Sequence, residues 1–129
     1  MGTIKNFEDM ETWKRTVNLI KLIYSSTNQP EFYKDYYLIN QLRKSSVSIA
    51  SNIAEGFERD GNKEFVNFLY IAKGSCGELR CQLHIAYDQK YLNQEQFSEM
   101  YNLALQISYS LNKLIKYLKE SDIKGIKYK

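Results

Sequence analysis

The side chains able to do chemistry are few. The chain holds one histidine, His84, and two cysteines, Cys76 and Cys81. Cys81 and His84 fit one helix face only loosely, which is poor placement for a thiol that needs an adjacent base. Cys76 and Cys81 are five residues apart, about 140° around a helix axis, so they cannot bridge within that helix. Neither belongs to a Cys-x-x-Cys pair, and both read as reduced thiols. Di-metal helical proteins use Glu-x-x-His on two helices. Here Cys81 stands three residues before the single His84, so no metal centre and no cofactor is expected. Glu55 with Glu58, and Glu95 with Glu99, are carboxylate pairs of the kind that solvate a helix face. The stretch Gly74-Ser-Cys-Gly77 has no strand before it and is not a phosphate loop. Arg80 with His84 remains, a cation and a proton carrier of the kind a ribonuclease uses. That reading ranks third, below nucleic-acid binding and below a purely structural or protein-interaction oligomer, and the chain is expected not to be an enzyme.

The stronger feature is a basic strip. On a helix, Lys73, Arg80 and His84 fall within about 40° of one another, at spacings of 7 and 4, with no acid among them. Arg43 and Lys44 lie earlier in the chain, and Arg59 follows. Rows of Lys and Arg suit phosphates without reading bases. These six residues are the candidate contacts to RNA or DNA.

Four helices must position these groups. Heptad-like and 3.6-period spacing predicts helices over about 7–27, 35–59, 62–91 and 93–121. Asn6 is a candidate cap for the first, in which Met10, Trp13, Val17, Ile20 and Tyr24 recur at spacings of 3 and 4, the helix period. Asn28-Gln29-Pro30 stops it. Asp60-Gly61 ends the second, with Gly61 expected in a left-handed cap. Asn93 and Gln96 form a capping box for the fourth. Its seam, Phe97, Met100, Ala104, Ile107, Leu111, Leu114 and Leu118, repeats every 3 and 4 residues, as left-handed packing requires. The expected fold is all-α, a single up-down-up-down antiparallel four-helix bundle over 1–129.

The inner helices offer more apolar surface than one chain needs. In the second, Leu38, Ile39, Leu42, Val47, Ile49, Ala50, Ile53, Ala54 and Phe57 cover about half the circumference, beyond the ~100° of an ordinary surface helix. The third has a core face of Phe65, Phe68, Leu69, Ala72, Cys76, Leu79, Leu83 and Ala86. Opposite lie Tyr70, Gly74, Gly77, Cys81 and Ile85. A glycine inside a helix costs about 1 kcal/mol against alanine, and close approach of another backbone is the usual compensation. This second face predicts a homo-oligomer. Eleven Tyr suit such an interface.

Composition sets the outer bounds. A chain of 129 residues suits one domain, and its net charge is +3. Residues 113–129 hold six Lys against Glu120 and Asp122, a net of +4, while the rest is nearly neutral. A basic tail is thus expected over 122–129. No apolar run is long enough to span a bilayer, and no signal peptide is evident, so a cytoplasmic protein is expected.

Gln41-Leu-Arg-Lys-Ser-Ser-Val-Ser-Ile-Ala-Ser-Asn-Ile-Ala-Glu-Gly56 resembles the signature of the 23S rRNA intervening-sequence family of four-helix-bundle proteins. Trp13, Ile23-Tyr24, Lys63-Glu64-Phe65 and Ala72-Lys-Gly-Ser-Cys-Gly-Glu-Leu79 extend the likeness over about 7–118. Ala50 departs from it, since the family usually has Pro there, so this helix is expected to be straighter. The resemblance implies a homopentamer, from a family with no established enzymatic activity. It is also similar to the accessory proteins of diversity-generating retroelements, which implies nucleic acid or a nucleic-acid enzyme as partner. Asn52, Glu55 and Gly56, within the signature, are expected to hold structural contacts. Some all-helical ribonucleases of the HEPN group place four to six residues between Arg and His. Arg80 and His84 have three between, one short of that pattern.

Overall fold

The computed structural model describes residues 4–123 and is all-α, with no strand among them. Its long helices are α1 (Glu11–Thr27), α2 (Tyr36–Glu58), α3 (Asn62–Asp88) and α4 (Gln94–Ile123). The basic end beyond residue 123 lies outside the described residues. α2 packs on α1 and α3, and α4 packs on α1 and α3, with α2–α3 the most extensive pairing. One contiguous apolar core runs through all four, from Ile23 and Leu42 to Leu83 and Leu111.

The start of the chain differs from the expected single helix over 7–27. Phe7–Asp9 forms a short 3-10 turn, and Met10 is extended (φ −73°, ψ 128°) before α1 begins at Glu11. Asn6 precedes that turn and makes no side-chain cap. The break turns Met10 inward to 4% exposure and lets Phe7 meet Trp13 edge-on at 5.3 Å. It also changes the inward face of α1. Thr16, Leu19, Ile23, Ser26 and Thr27 are buried, whereas Trp13, Val17 and Ile20 are half-buried and Tyr24 is exposed.

α2 starts one residue later than expected because Asp35 is its cap, accepting from the Leu38 N–H at 3.1 Å. An Asp here supplies one of the donors' missing partners at a helix start. Leu38, Leu42, Ile49, Ala50 and Ile53 are buried, but Val47 is exposed, so the broad apolar arc of α2 is not all covered. Between α2 and α3, Arg59 is extended and Gly61 has φ 106° and ψ 158°. That conformation is open essentially to glycine alone. Gly61 therefore launches α3 rather than capping α2 in the left-handed form that was expected.

The tightest approach is at Gly56. A Cβ there would stand 2.7 Å from Phe68 Cβ and 3.0 Å from Phe65 Cδ1. Along the same contact the Ser48 and Ser75 hydroxyls are hydrogen-bonded at 2.9 Å. Small residues thus let the two helices close together.

α3 buries Phe65, Leu69, Ala72, Cys76, Leu79, Leu83 and Ala86, with Phe68 only half-buried. It stops at Asp88, three residues early, since Lys90 turns left-handed at φ 68°. The capping box of α4 is formed as expected. Asn93 Oδ1 accepts from Gln96 N–H at 2.8 Å, and Gln96 Oε1 from Asn93 N–H at 3.0 Å. All the seam residues of α4 from Met100 to Leu118 are buried.

Candidate nucleic-acid interface

The six candidate cations fall into three separate environments. Arg43 is committed within the chain. Its Nε–H donates to Thr27 Oγ1 and its Nη2 to Asn28 Oδ1, each at 3.0 Å, and its guanidinium lies 4.5 Å from the Tyr24 ring centroid. It clips α2 to the end of α1. Lys44, the next residue, is exposed on α2. Arg59 pairs with Glu55 at 3.1 Å and sits 4.8 Å from the Phe68 ring centroid, so its charge is locally offset.

Lys73, Arg80 and His84 all lie on α3, and His84 meets α4 at Phe97 and Tyr101. Lys73 and Arg80 are half-buried and His84 is exposed. None of the three pairs with a carboxylate among the described residues. Arg80 lies beside Cys76, and its Nε–H is buried with no hydrogen-bond partner. Cys76 Sγ donates to Ala104 O at 3.1 Å. Burial pushes the Cys76 thiol up, against the weaker pull of the Arg80 cation. A buried thiol held neutral in this way is a poor nucleophile.

The seam extends further than sequence reasoning placed it. Lys119 of α4 donates to Tyr70 Oη at 2.8 Å and lies over that ring at 5.1 Å. A cleft of about 500 Å³ opens there among Lys63, Asn67, Tyr70, Leu118 and Lys119. At the other end His84 meets Phe97 and Tyr101 of α4, at 5.0 and 4.9 Å between ring centroids. The spacing of Phe97 and Tyr101, one helical turn apart, was the available signal for this cluster. Lys119 had been counted only as part of the basic end, because its partner Tyr70 is 49 residues away.

The outer face of α3 adjoins this seam. Tyr70 and Ile85 are 44% and 45% exposed, and Cys81 is exposed. Ile71, missed earlier, joins them at 53%. At Gly74 an added Cβ would meet nothing within 4 Å, and at Gly77 only Arg80 Nη2 at 3.8 Å. Among the described residues, no group of three or more His, Cys, Asp or Glu could hold a metal ion. No helix among them is long and apolar enough to cross a membrane.

The comparisons with known proteins agree on family and fold. A crystal structure of a protein of unknown function from the S23 ribosomal protein family of Bacteroides thetaiotaomicron VPI-5482 superposes with a TM-score of 0.74. The two chains are 22% identical, over 81% of this chain and 95% of that one, which establishes a shared helical fold. No curated protein matches the chain. Residues 8–113 match the profile of the 23S rRNA-intervening sequence proteins, most of the described helical region. On that match, the chain belongs to the 23S rRNA-intervening sequence protein family.

Proposed function

We propose that this protein is a non-catalytic, cytoplasmic homo-oligomer that binds nucleic acid, RNA or DNA, and can present it to a nucleic-acid enzyme. The observation that carries the reading is the row of Lys73, Arg80 and His84, none of them paired with a carboxylate among the described residues, with Lys119 beside it at Tyr70. In this reading the helices run up-down-up-down as an antiparallel bundle. Contacts that climb α3 and descend α4 support it, from Tyr70 with Lys119 to His84 with Phe97. Arg43 and Arg59 leave the proposed contact set, since both are engaged inside the chain.

Assembly, in this proposal a homopentamer, uses the outer face of α3 around Tyr70, Gly74, Gly77, Cys81 and Ile85. The open space over Gly74 supports it, because nothing in the chain itself requires a glycine there. Each copy repeats the strip, and repetition multiplies a weak site.

Two measurements test the proposal. Light scattering at micromolar concentration should give an oligomer, and a monomer refutes the assembly. Titration with structured RNA and duplex DNA should show affinity that falls steeply with salt. The pair Lys73→Glu and Lys119→Glu, with helix content checked by circular dichroism, should abolish it. Unchanged binding in that variant removes the strip. An oligomer that binds no nucleic acid at low salt would instead be a protein-interaction module, the reading favoured by the exposed Ile71 and Ile85.

A further inference from the structure

The seam ends in a stack of rings. Tyr87 stacks on Phe97 at 4.7 Å with planes 21° apart, and Phe97 stacks on Tyr101 at 5.2 Å and 27°. His84 meets Phe97 and Tyr101 at steeper angles, 56° and 72°. None of the four is buried. Tyr87 is 39% exposed and His84 is exposed, while Phe97 and Tyr101 are half-buried. The cluster begins one turn beyond Arg80 on the same side of α3.

Accessible rings at the end of a row of cations match what a single strand needs. Its phosphates meet Lys and Arg, and its unpaired bases stack on aromatic faces. A duplex can use only the cations, since its bases are already stacked on one another. We propose that the ligand of this seam is a single-stranded nucleic acid. A base stacks on the outward side of Tyr87, the exposed end of the Tyr87–Phe97–Tyr101 stack, and the backbone runs past Arg80 and Lys73 to the cleft at Lys63 and Lys119. This inference rests on the nucleic-acid reading above and adds strandedness to it. From Tyr70 to Tyr87 the helix rises about 25 Å. That length holds about seven nucleotides at the stacked spacing of ~3.4 Å, and fewer when the strand is extended.

The test uses the full chain and three labelled probes of about ten nucleotides: a single-stranded oligoadenylate, the same length of duplex, and an abasic strand. Fluorescence anisotropy should show the oligoadenylate bound roughly tenfold or more tighter than the abasic strand, given the usual worth of a stacked base. Tyr87→Leu, with its helix content and Tm checked against the parent, should lower oligoadenylate affinity roughly tenfold while leaving the salt slope and the abasic affinity unchanged. Lys73→Gln should weaken both strands and reduce the salt slope by about one. Equal affinity for abasic and intact strands, tighter binding of the duplex, or an unaffected Tyr87→Leu variant overturns the stacking site. Each of those results leaves salt-dependent nucleic-acid binding standing. Absence of binding to all three probes at low salt overturns both readings.

Discussion

Replacing Gly56 by alanine should destabilise the fold, although alanine is the better helix former. The propensity gain is about 1 kcal/mol. Against it stands a Cβ only 2.7 Å from Phe68 Cβ and 3.3 Å from the Phe65 carbonyl oxygen. Phe68 Cβ is fixed to its backbone and cannot rotate away. To reach ordinary contact, α2 and α3 must separate by about 0.7 Å, and a gap of that size forfeits a quarter to a half of each neighbouring dispersion contact. Overpacking of this kind typically costs ~1–3 kcal/mol, and a backbone-anchored clash belongs near the top of that range. The net loss is then about 2 kcal/mol. Unfolding entropy near 2.1 cal/mol/K per residue, over 129 residues, converts this to a fall in Tm of roughly 7 °C. Calorimetry at fixed protein concentration measures it. A Gly56→Ala variant as stable as the parent would refute the close approach of α2 and α3.

Other perturbations follow from single contacts. Arg43→Ala removes hydrogen bonds to Thr27 and Asn28 and should lower stability by about 1–3 kcal/mol in denaturant titration, with no change in the salt slope of nucleic-acid binding. Asn93→Ala opens the capping box and should cost about 1 kcal/mol in the same assay. Of the two thiols, Cys76 should react with a disulfide reagent only on unfolding, whereas Cys81, exposed in the single chain, should be shielded by the proposed assembly and react faster on dilution to the monomer. Tyr91 Oη donates to Asp35 Oδ2 at 2.8 Å, and that hydrogen bond, before desolvation, holds its phenol above the ordinary value of about 10. A raised folded-state value means the contribution is complete below the unfolded value and is lost as pH climbs through the folded one. Stability of the parent should therefore fall more steeply above pH ~10 than that of Tyr91→Phe, and equal slopes would contradict the assignment.

Patterns carried by neighbouring residues were legible in the sequence, and those carried by distant ones were not. The α4 seam and the Asn93–Gln96 capping box are local, and both appear as read. The strip of Lys73, Arg80 and His84 is also local, fixed by helical periodicity alone. Periodicity left the core face of α1 open, because Trp13, Val17 and Ile20 repeat as regularly as Thr16, Leu19 and Ile23. Only packing against α2 and α4 selects between the two faces. Arg43 looked available as a phosphate contact, yet its partners come from the end of another helix. The aromatic cluster likewise needs α3 and α4 side by side before Tyr87 and Phe97 can stack.

The hydroxyl pair Ser48–Ser75 and the bare backbone at Gly56 act together as a key. Asn52 lies between them on α2, its amide turned back onto Ser48 O and Oγ. Slide α2 along α3 by one turn, about 5.4 Å, and Asn52 would arrive where Gly56 now faces Phe68. No side chain larger than hydrogen fits that place, and Ser75 would lose its hydroxyl partner at the same time. The neighbouring register is thus closed to this helical hairpin by one missing methyl group. The α2–α3 alignment is set by residues of these two helices alone.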